Sequence, residues 1–165
     1  MIRAQLAERD DDNPGAGTPM TEPNAVDMQR VETRFGVFTG RARDVVTLAE
    51  GLPGFESCRR FVLLSSPTIE PLMCLQGVEE PRPSFLVIDP RLADPEYRCR
   101  LDDLQARRVH ADDATVLLWL AIVRLSDDGD ATVNLRAPLV VNPAKMRGMQ
   151  LLSGHDDYPV DHGLR

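Results

Sequence analysis

Three histidines and three cysteines are the residues best able to do chemistry in this 165-residue chain. Their spacing decides what chemistry to expect. Cys58, Cys74 and Cys99 stand far apart and form no Cys-x-x-Cys pair, so neither a zinc ribbon nor a dithiol redox site is predicted. Free cysteines at such intervals read as small buried apolar residues. His110 follows a stretch that reads as helix, where a C-terminal histidine is favourable beside the helix dipole alone. His155 and His162 sit among Asp156, Asp157 and Asp161 in what reads as a solvated polar tail. That spacing is neither the i, i+4 pair of a zinc-protease helix nor a known loop pattern, so no metal site is expected. Asp127-Asp128-Gly129-Asp130 lacks the alternating ligands and terminal Glu of an EF-hand loop and reads as a turn. There is no phosphate-cradling glycine loop and no Gly-x-Ser-x-Gly elbow. With no nucleophile, base or ligand set arranged for work, the chain is expected to be no enzyme and to need no cofactor.

The elements that would position these residues are mostly strands. Val31-Glu32-Thr33-Arg34-Phe35 alternates, Gly36 interrupts, and Val37-Phe38 resumes, which suits a strand pair or one strand bent at glycine. Val45 to Leu48, Phe61 to Leu64, Leu72 to Val78 and Phe85 to Ile88 are short apolar or β-branched runs, with prolines between them and rarely inside. One short helix is predicted after Asp102 or Asp103, with acids at its start and Arg107-Arg108 at its end. Thr115 to Val123 fits either state by length. The Asp-Gly turn cluster after it and the alternation of Ala131 to Ala137 favour a hairpin. Leu139 to Val141 and Met149 to Leu152 add two more strands. The predicted fold is all-β and mainly antiparallel, a small β-barrel-like domain of eight or nine short strands with one short helix. Residues 29–162 form this domain. Residues 1–28, with Asp10 to Thr18-Pro19 rich in charge and turn formers, read as a disordered leader.

Composition narrows the function. A formal net charge of -7 disfavours a phosphate-backbone binder and suits a partner that is basic. Aromatic residues make up 5% of the chain, too few for a base-stacking or carbohydrate surface. The first residues lack an apolar secretory core, and the strongest apolar run, Val116 to Val123, is too short to span a bilayer as a helix. A soluble protein of the bacterial cytoplasm is expected.

Four strings exceed what generic strands require. Gly51-Leu52-Pro53-Gly54-Phe55-Glu56 sets an apolar ring in a rigid turn. Leu75-Gln76-Gly77-Val78-Glu79-Glu80-Pro81 runs from a strand into a proline-stiffened loop. Phe85-Leu86-Val87-Ile88-Asp89-Pro90 closes a strand with Asp-Pro. Asn134-Leu135-Arg136-Ala137-Pro138-Leu139-Val140-Val141-Asn142 has an asparagine at each end. Singly, each reads as turn chemistry.

In this order, with Phe61 to Leu64 between the first two and Tyr158-Pro159 near the end, the strings resemble the FliW family of flagellar assembly factors over about residues 30 to 162. The resemblance implies a non-catalytic β-barrel-like protein that binds CsrA, a small RNA-binding translational repressor. It thereby relieves repression of flagellin messenger RNA. Flagellin itself is the second implied partner, bound in a chaperone-like way, and the two partners must then bind antagonistically. No direct nucleic-acid or membrane binding is implied. Where partner contacts use exposed residues at strand ends, the matching positions are Phe55, Gln76, Glu79, Asp89, Asn134 and Asn142. The alternative for Asn134, Asn142 and Asp89 is that they hydrogen-bond backbone at turns. The chain departs from the family pattern at Cys74, where an aromatic is common, at Gly77 for Ser, at Arg136 for Gln, and at Asp161 for a basic residue. Two other functions compete: a barrel binding a small ligand or metal, and a flagellin chaperone without CsrA regulation.

Overall fold

The computed structural model describes residues 28–41 and 44–164. Eleven strands and two short helices follow in chain order: β1 (Met28–Thr33), β2 (Gly36–Arg41), β3 (Val45–Leu48), β4 (Arg60–Leu64), β5 (Met73–Gly77), β6 (Ser84–Ile88), α1 (Pro90–Ala93), α2 (Asp103–Arg108), β7 (Leu118–Leu125), β8 (Ala131–Val133), β9 (Leu139–Asn142), β10 (Arg147–Gln150) and β11 (His162–Gly163). Seven strands close a barrel in the order β7-β6-β5-β4-β3-β10-β9, with β9 returning to β7. All pairings in the ring are antiparallel except β3–β10, which is parallel. The ring closes because β7 divides its outer edge. Leu118 to Leu120 pair with β9, whereas Val123 to Leu125 pair with β8, which β11 extends.

Period-two alternation fills this barrel. Leu48, Phe61, Leu75, Val87, Leu120, Leu139 and Val141 point inward and are all but fully buried. The side chains of opposite parity also find cover, which explains why β4, β6 and β7 read as continuous apolar runs rather than alternating ones. Outside β4 and β5, Val62, Leu64 and Cys74 pack under Phe38 of the β1–β2 hairpin. Outside β6 and β7, Leu86, Ile88, Ala121 and Val123 pack with Tyr97 and Leu135. Outside β9, Val140 packs with Trp119, Leu151 and Val109, the last at the end of α2.

The mainly-β barrel agrees with the sequence, with differences in detail. There are two helices, not one, because Asp89 caps a single turn with Pro90 at its first position. Asp102 is the cap of α2, and it forms a reciprocal capping box with Gln105. The second hairpin arm stops at Val133 rather than Ala137, since Asn134 folds the chain away. β10 lies at Arg147–Gln150, two residues before the predicted Met149 to Leu152, and β11 is too short to leave a periodic signal. Gly36, at φ +118°, turns the β1–β2 hairpin, so the first strand signal is a pair. The leader assigned to residues 1–28 lies outside the described residues except for Met28, which opens β1.

Candidate functional site

At one mouth of the barrel β5 ends, β6 begins and β7 runs out, and the β1–β2 turn hangs beside them. Between them lies an open groove of about 710 Å³. Phe55, Phe85 and Ile122 lie at its apolar base, and Phe35, Leu125, Arg34, Arg82 and Arg124 stand along its walls. The three arginines are exposed. Arg34 holds its guanidinium 4.8 Å from the centroid of the Phe35 ring, a cation–π pair.

Phe55 reaches this mouth through its turn. Gly51 adopts φ +67°, and a Cβ there would lie 2.8 Å from the Glu56 Cα. Only glycine permits that approach. Leu52 anchors the turn at 2% exposure, Phe55 N donates to Leu52 O at 2.7 Å, and Gly54 N donates to Glu56 Oε1 at 2.9 Å. The Gly54 backbone N–H first, and the backbone N–H of Glu56 itself second, hold the Glu56 carboxyl below its usual range. The Phe55 ring then stands edge-on to Phe85.

Gln76 lines the same groove, and Glu79 stands in the loop that follows it. Gln76 is buried, donates through Nε2 to Gly77 O and Arg82 O at 2.9 and 3.0 Å, and accepts from the Ser84 hydroxyl. It therefore fastens the 77–83 loop, and with it Arg82, to the barrel. Glu79 accepts from the Arg59 and Arg60 backbone N–H groups at 2.9 and 3.2 Å and from Arg60 Nε at 2.9 Å. The Arg59 backbone bond first, and then the Arg60 side chain, lower its pKa.

The other three sequence positions lie elsewhere, each with a side-chain oxygen bonded to neighbouring groups. Asp89 caps α1 and pairs with Arg91, whose side chain chiefly lowers its pKa. Asn134 Oδ1 accepts from Arg136 N and Ala137 N, both at 3.1 Å. Asn142 is 1% exposed. Its Nδ2 donates to Val109 O and His110 O at 3.0 and 2.9 Å, and its Oδ1 accepts from Ala144 N and Lys145 N. The structure thus brings Phe55, Gln76 and the Glu79 loop together and leaves Asp89, Asn134 and Asn142 apart. Sequence reasoning missed Arg34, Phe35, Arg82, Arg124 and Leu125. They come from three distant segments, and the one local sign was an aromatic and an arginine just before the Gly36 turn.

A second face is acidic. Asp102, Asp103, Asp112 and Asp113, against one arginine, Arg107, surround a depression of about 670 Å³ whose apolar lining includes Leu117 and Trp119. Asp112 is held by Thr115: the two exchange bonds of 2.7 and 2.9 Å, and the Thr115 hydroxyl is the main cause of its lowered pKa. Strand β7 serves both faces, with Trp119 at the acidic depression and Val123 to Leu125 at the arginine groove.

Neither face carries a reactive set. The groove offers Thr33, Gln76 and Ser84 as its uncharged polar side chains, and among the described residues no three His, Cys, Asp or Glu converge as metal ligands. His155 corrects the reading of a solvated tail. It is 2% exposed and stacks on Tyr97 at 5.7 Å and 14°, with Trp119 and Tyr158 alongside. Two departures from the family pattern also find physical explanations. Arg136 Nε donates to Tyr158 O at 2.8 Å and ties the C-terminal stretch down. Gly77 leaves room for its neighbours, since a Cβ there would lie 2.7 Å from Cys58 Sγ and 2.6 Å from Pro83 Cδ.

Among known proteins, residues 29–164 match the family model described as FliW protein. The chain is 35% identical over 130 residues to the flagellar assembly factor FliW of Treponema pallidum (strain Nichols), covering 78% of this chain and 86% of that one. It is 40% identical over 113 residues to the factor of the same name from Bdellovibrio bacteriovorus, covering 67% and 63%. A crystal structure of the flagellar assembly factor FliW superposes with a TM-score of 0.71 at 29% identity, covering 82% of this chain and 96% of that one. No helix among the described residues is long and apolar enough to cross a membrane.

Proposed function

The chain belongs to the FliW family of flagellar assembly factors, which are not enzymes, and from that premise we propose that it is a cytoplasmic regulatory binder with two protein partners. It binds CsrA, relieving repression of flagellin messenger RNA translation, and it binds flagellin as a chaperone-like partner. The observation that carries this reading is the pairing of two unlike faces on one filled barrel. An RNA-binding repressor needs a cationic footprint of its own. Such a surface is attracted to the depression around Asp102, Asp103, Asp112 and Asp113 and repelled by Arg34, Arg82 and Arg124. CsrA is therefore assigned to the acidic face, and flagellin to the aromatic groove. Phe55, Gln76 and Glu79 act there mainly by holding the groove in shape. Asp89, Asn134 and Asn142 act as scaffold. Because β7 serves both faces, a shift along that strand is a physical route for each partner to weaken the other.

The test is a pull-down with CsrA and flagellin from the same organism at micromolar concentration and low salt. Wild type is expected to retain both. R34E/R124E should lose flagellin and keep CsrA, and D112K/D113K should do the reverse. Retention of neither partner by wild type sinks the reading. Retention of flagellin alone supports instead a flagellin chaperone without CsrA regulation. A small-ligand or metal-binding barrel is the remaining competitor. It is disfavoured by an interior filled with Leu48, Phe61, Leu75, Leu120 and Leu139, and metal analysis of the purified protein tests it.

A further inference from the structure

We propose that the barrel-mouth groove takes an extended acidic segment of a protein partner by strand addition, at the point where the β6–β7 ladder opens. Which protein supplies that segment rests on the assignment of this groove to flagellin above. That the segment binds as a strand rests on the backbone alone.

The β6–β7 pairing runs through Ile88–Ala121, Val87–Ile122 and Leu86–Val123 and stops there. Both strands continue for two more residues, to Ser84 and to Leu125, and these line the groove. The strands part because each is held on its far side. Ser84 and Phe85 stay in register with Gln76 and Leu75 of β5, and Arg124 and Leu125 with Thr132 and Ala131 of β8. Had the ladder continued, Ser84 would face Leu125.

The side to which backbone groups point alternates along an antiparallel strand. Gly77 N donates to Pro83 O at 2.7 Å, so Ser84, the next residue, turns its N–H and C=O away from β5. Asn134 N donates to Ile122 O at 2.9 Å, so Leu125, three residues on, turns its own away from β8. Both sets point into the seam where the next hydrogen-bonded pair would have formed. Strand-edge groups without a cross-strand partner are a template for an added strand. An amphipathic helix, whose backbone groups bond internally, would leave them unanswered.

The side chains around the seam choose the segment. Its floor is apolar, with Phe55, Phe85 and Ile122, and Leu125 is 52% exposed beside them. Its walls carry Arg34, Arg82 and Arg124 against one acid, Glu32, and Arg82 shares its charge with Glu80 at 3.0 Å. Such a rim repels basic segments and attracts carboxylates. Backbone bonds then supply affinity, while rim and floor select an apolar residue set among several acids.

The probe is the acetylated and amidated hexapeptide Asp-Glu-Ile-Glu-Val-Asp, titrated into the full-length protein while amide exchange is followed by NMR. Saturable binding is expected, with exchange at the Ser84 and Leu125 amides slowed about tenfold. The same peptide methylated on its backbone nitrogens, and one with Lys in place of every acid, should each bind about tenfold more weakly or worse. R34E/R124E should reverse the charge preference and favour the lysine peptide, a gain that a misfolded variant cannot show. Equal binding of the methylated peptide, or binding that leaves Ser84 and Leu125 unprotected, overturns strand addition. Absence of saturable binding by the acidic peptide overturns the site itself. Flagellin retained by the protein but leaving both amides unprotected removes the strand mode and keeps the partner. Peptide binding with protection, but without flagellin retention, keeps the seam and removes flagellin as its occupant.

Discussion

The ring of Phe55 stands edge-on to the ring of Phe85, with 5.3 Å between centroids and 85° between planes. An apolar side chain offered by an exposed proline–glycine turn is thereby built into the barrel mouth, packed against its core. Phe55→Ala is therefore expected to lower stability by about 2 kcal/mol, less than a fully buried Phe because the ring is partly exposed. Urea unfolding measures it. An unchanged midpoint would show that the ring contributes nothing to the fold and would leave only a contact role.

Asn142 and Asn134 look equivalent in sequence and are not. Asn142→Ala strips a buried side chain of four bonded partners, including the carbonyls that follow α2. A loss of about 3 kcal/mol is expected, because buried carbonyls are left unpaired. Asn134→Ala removes one half-buried side-chain oxygen that accepts two turn N–H groups, and should cost about 1 kcal/mol. Equal losses in a side-by-side denaturation experiment would contradict the structural distinction.

Gly77 and Cys58 share one space. Gly77→Ser places a Cβ against Cys58 Sγ and Pro83 Cδ, an overpacking of about 1–3 kcal/mol. Cys58→Ala in the same chain should recover part of that loss, and a double-mutant cycle reads the coupling. Strictly additive effects would mean that the thiol is not what fills the position.

His155 makes stability depend on pH. Burial first, and Arg100 second, lower its pKa; Asp156 and the backbone of Arg98 and Ser153 oppose them without winning. A histidine whose folded-state pKa is depressed contributes stability that is present above its unfolded value near 6.5 and lost as pH falls below it. The urea midpoint is thus expected to be flat from pH 8 to 7 and to drop from about pH 6.5 to 5. The slope cannot exceed about 1.4 kcal/mol per pH unit for one group. The carboxylates of Glu56, Glu79, Asp89 and Asp112, all with lowered pKa values, act in a more acidic range. His155→Phe should flatten the upper part of the slope. If it does not, the titration belongs to another residue.

Local chemistry made much of this fold readable. Strand lengths, the Gly36 hairpin, the α2 cap and the glycine turn that carries Phe55 all follow from steric and hydrogen-bonding preferences acting over a few residues. The same locality misleads at His155, which sits in a polar-looking string and reads as solvated. It is buried because Tyr97 and Trp119 enclose it. Asn142 bonds backbone at a turn, as its neighbours suggest, but only the tertiary fold brings the end of α2 over its amide. A sequence window holds no term for such cover.

Read residue by residue, the amino-acid sequence specifies a mainly-β chain without an arranged catalytic set, carrying the ordered strings of its family. Those properties depend on residue type and on neighbours along the chain. The tertiary structure alone decided that β7 divides its edge between β9 and β8, so that the barrel closes with its interior filled. It alone decided that Arg34, Arg82 and Arg124, far apart in sequence, line one groove around Phe55, while four aspartates gather on another face. The physical reason is that strand order and closure are set by pairings between remote segments. Which charges become neighbours is then a consequence of topology rather than of spacing.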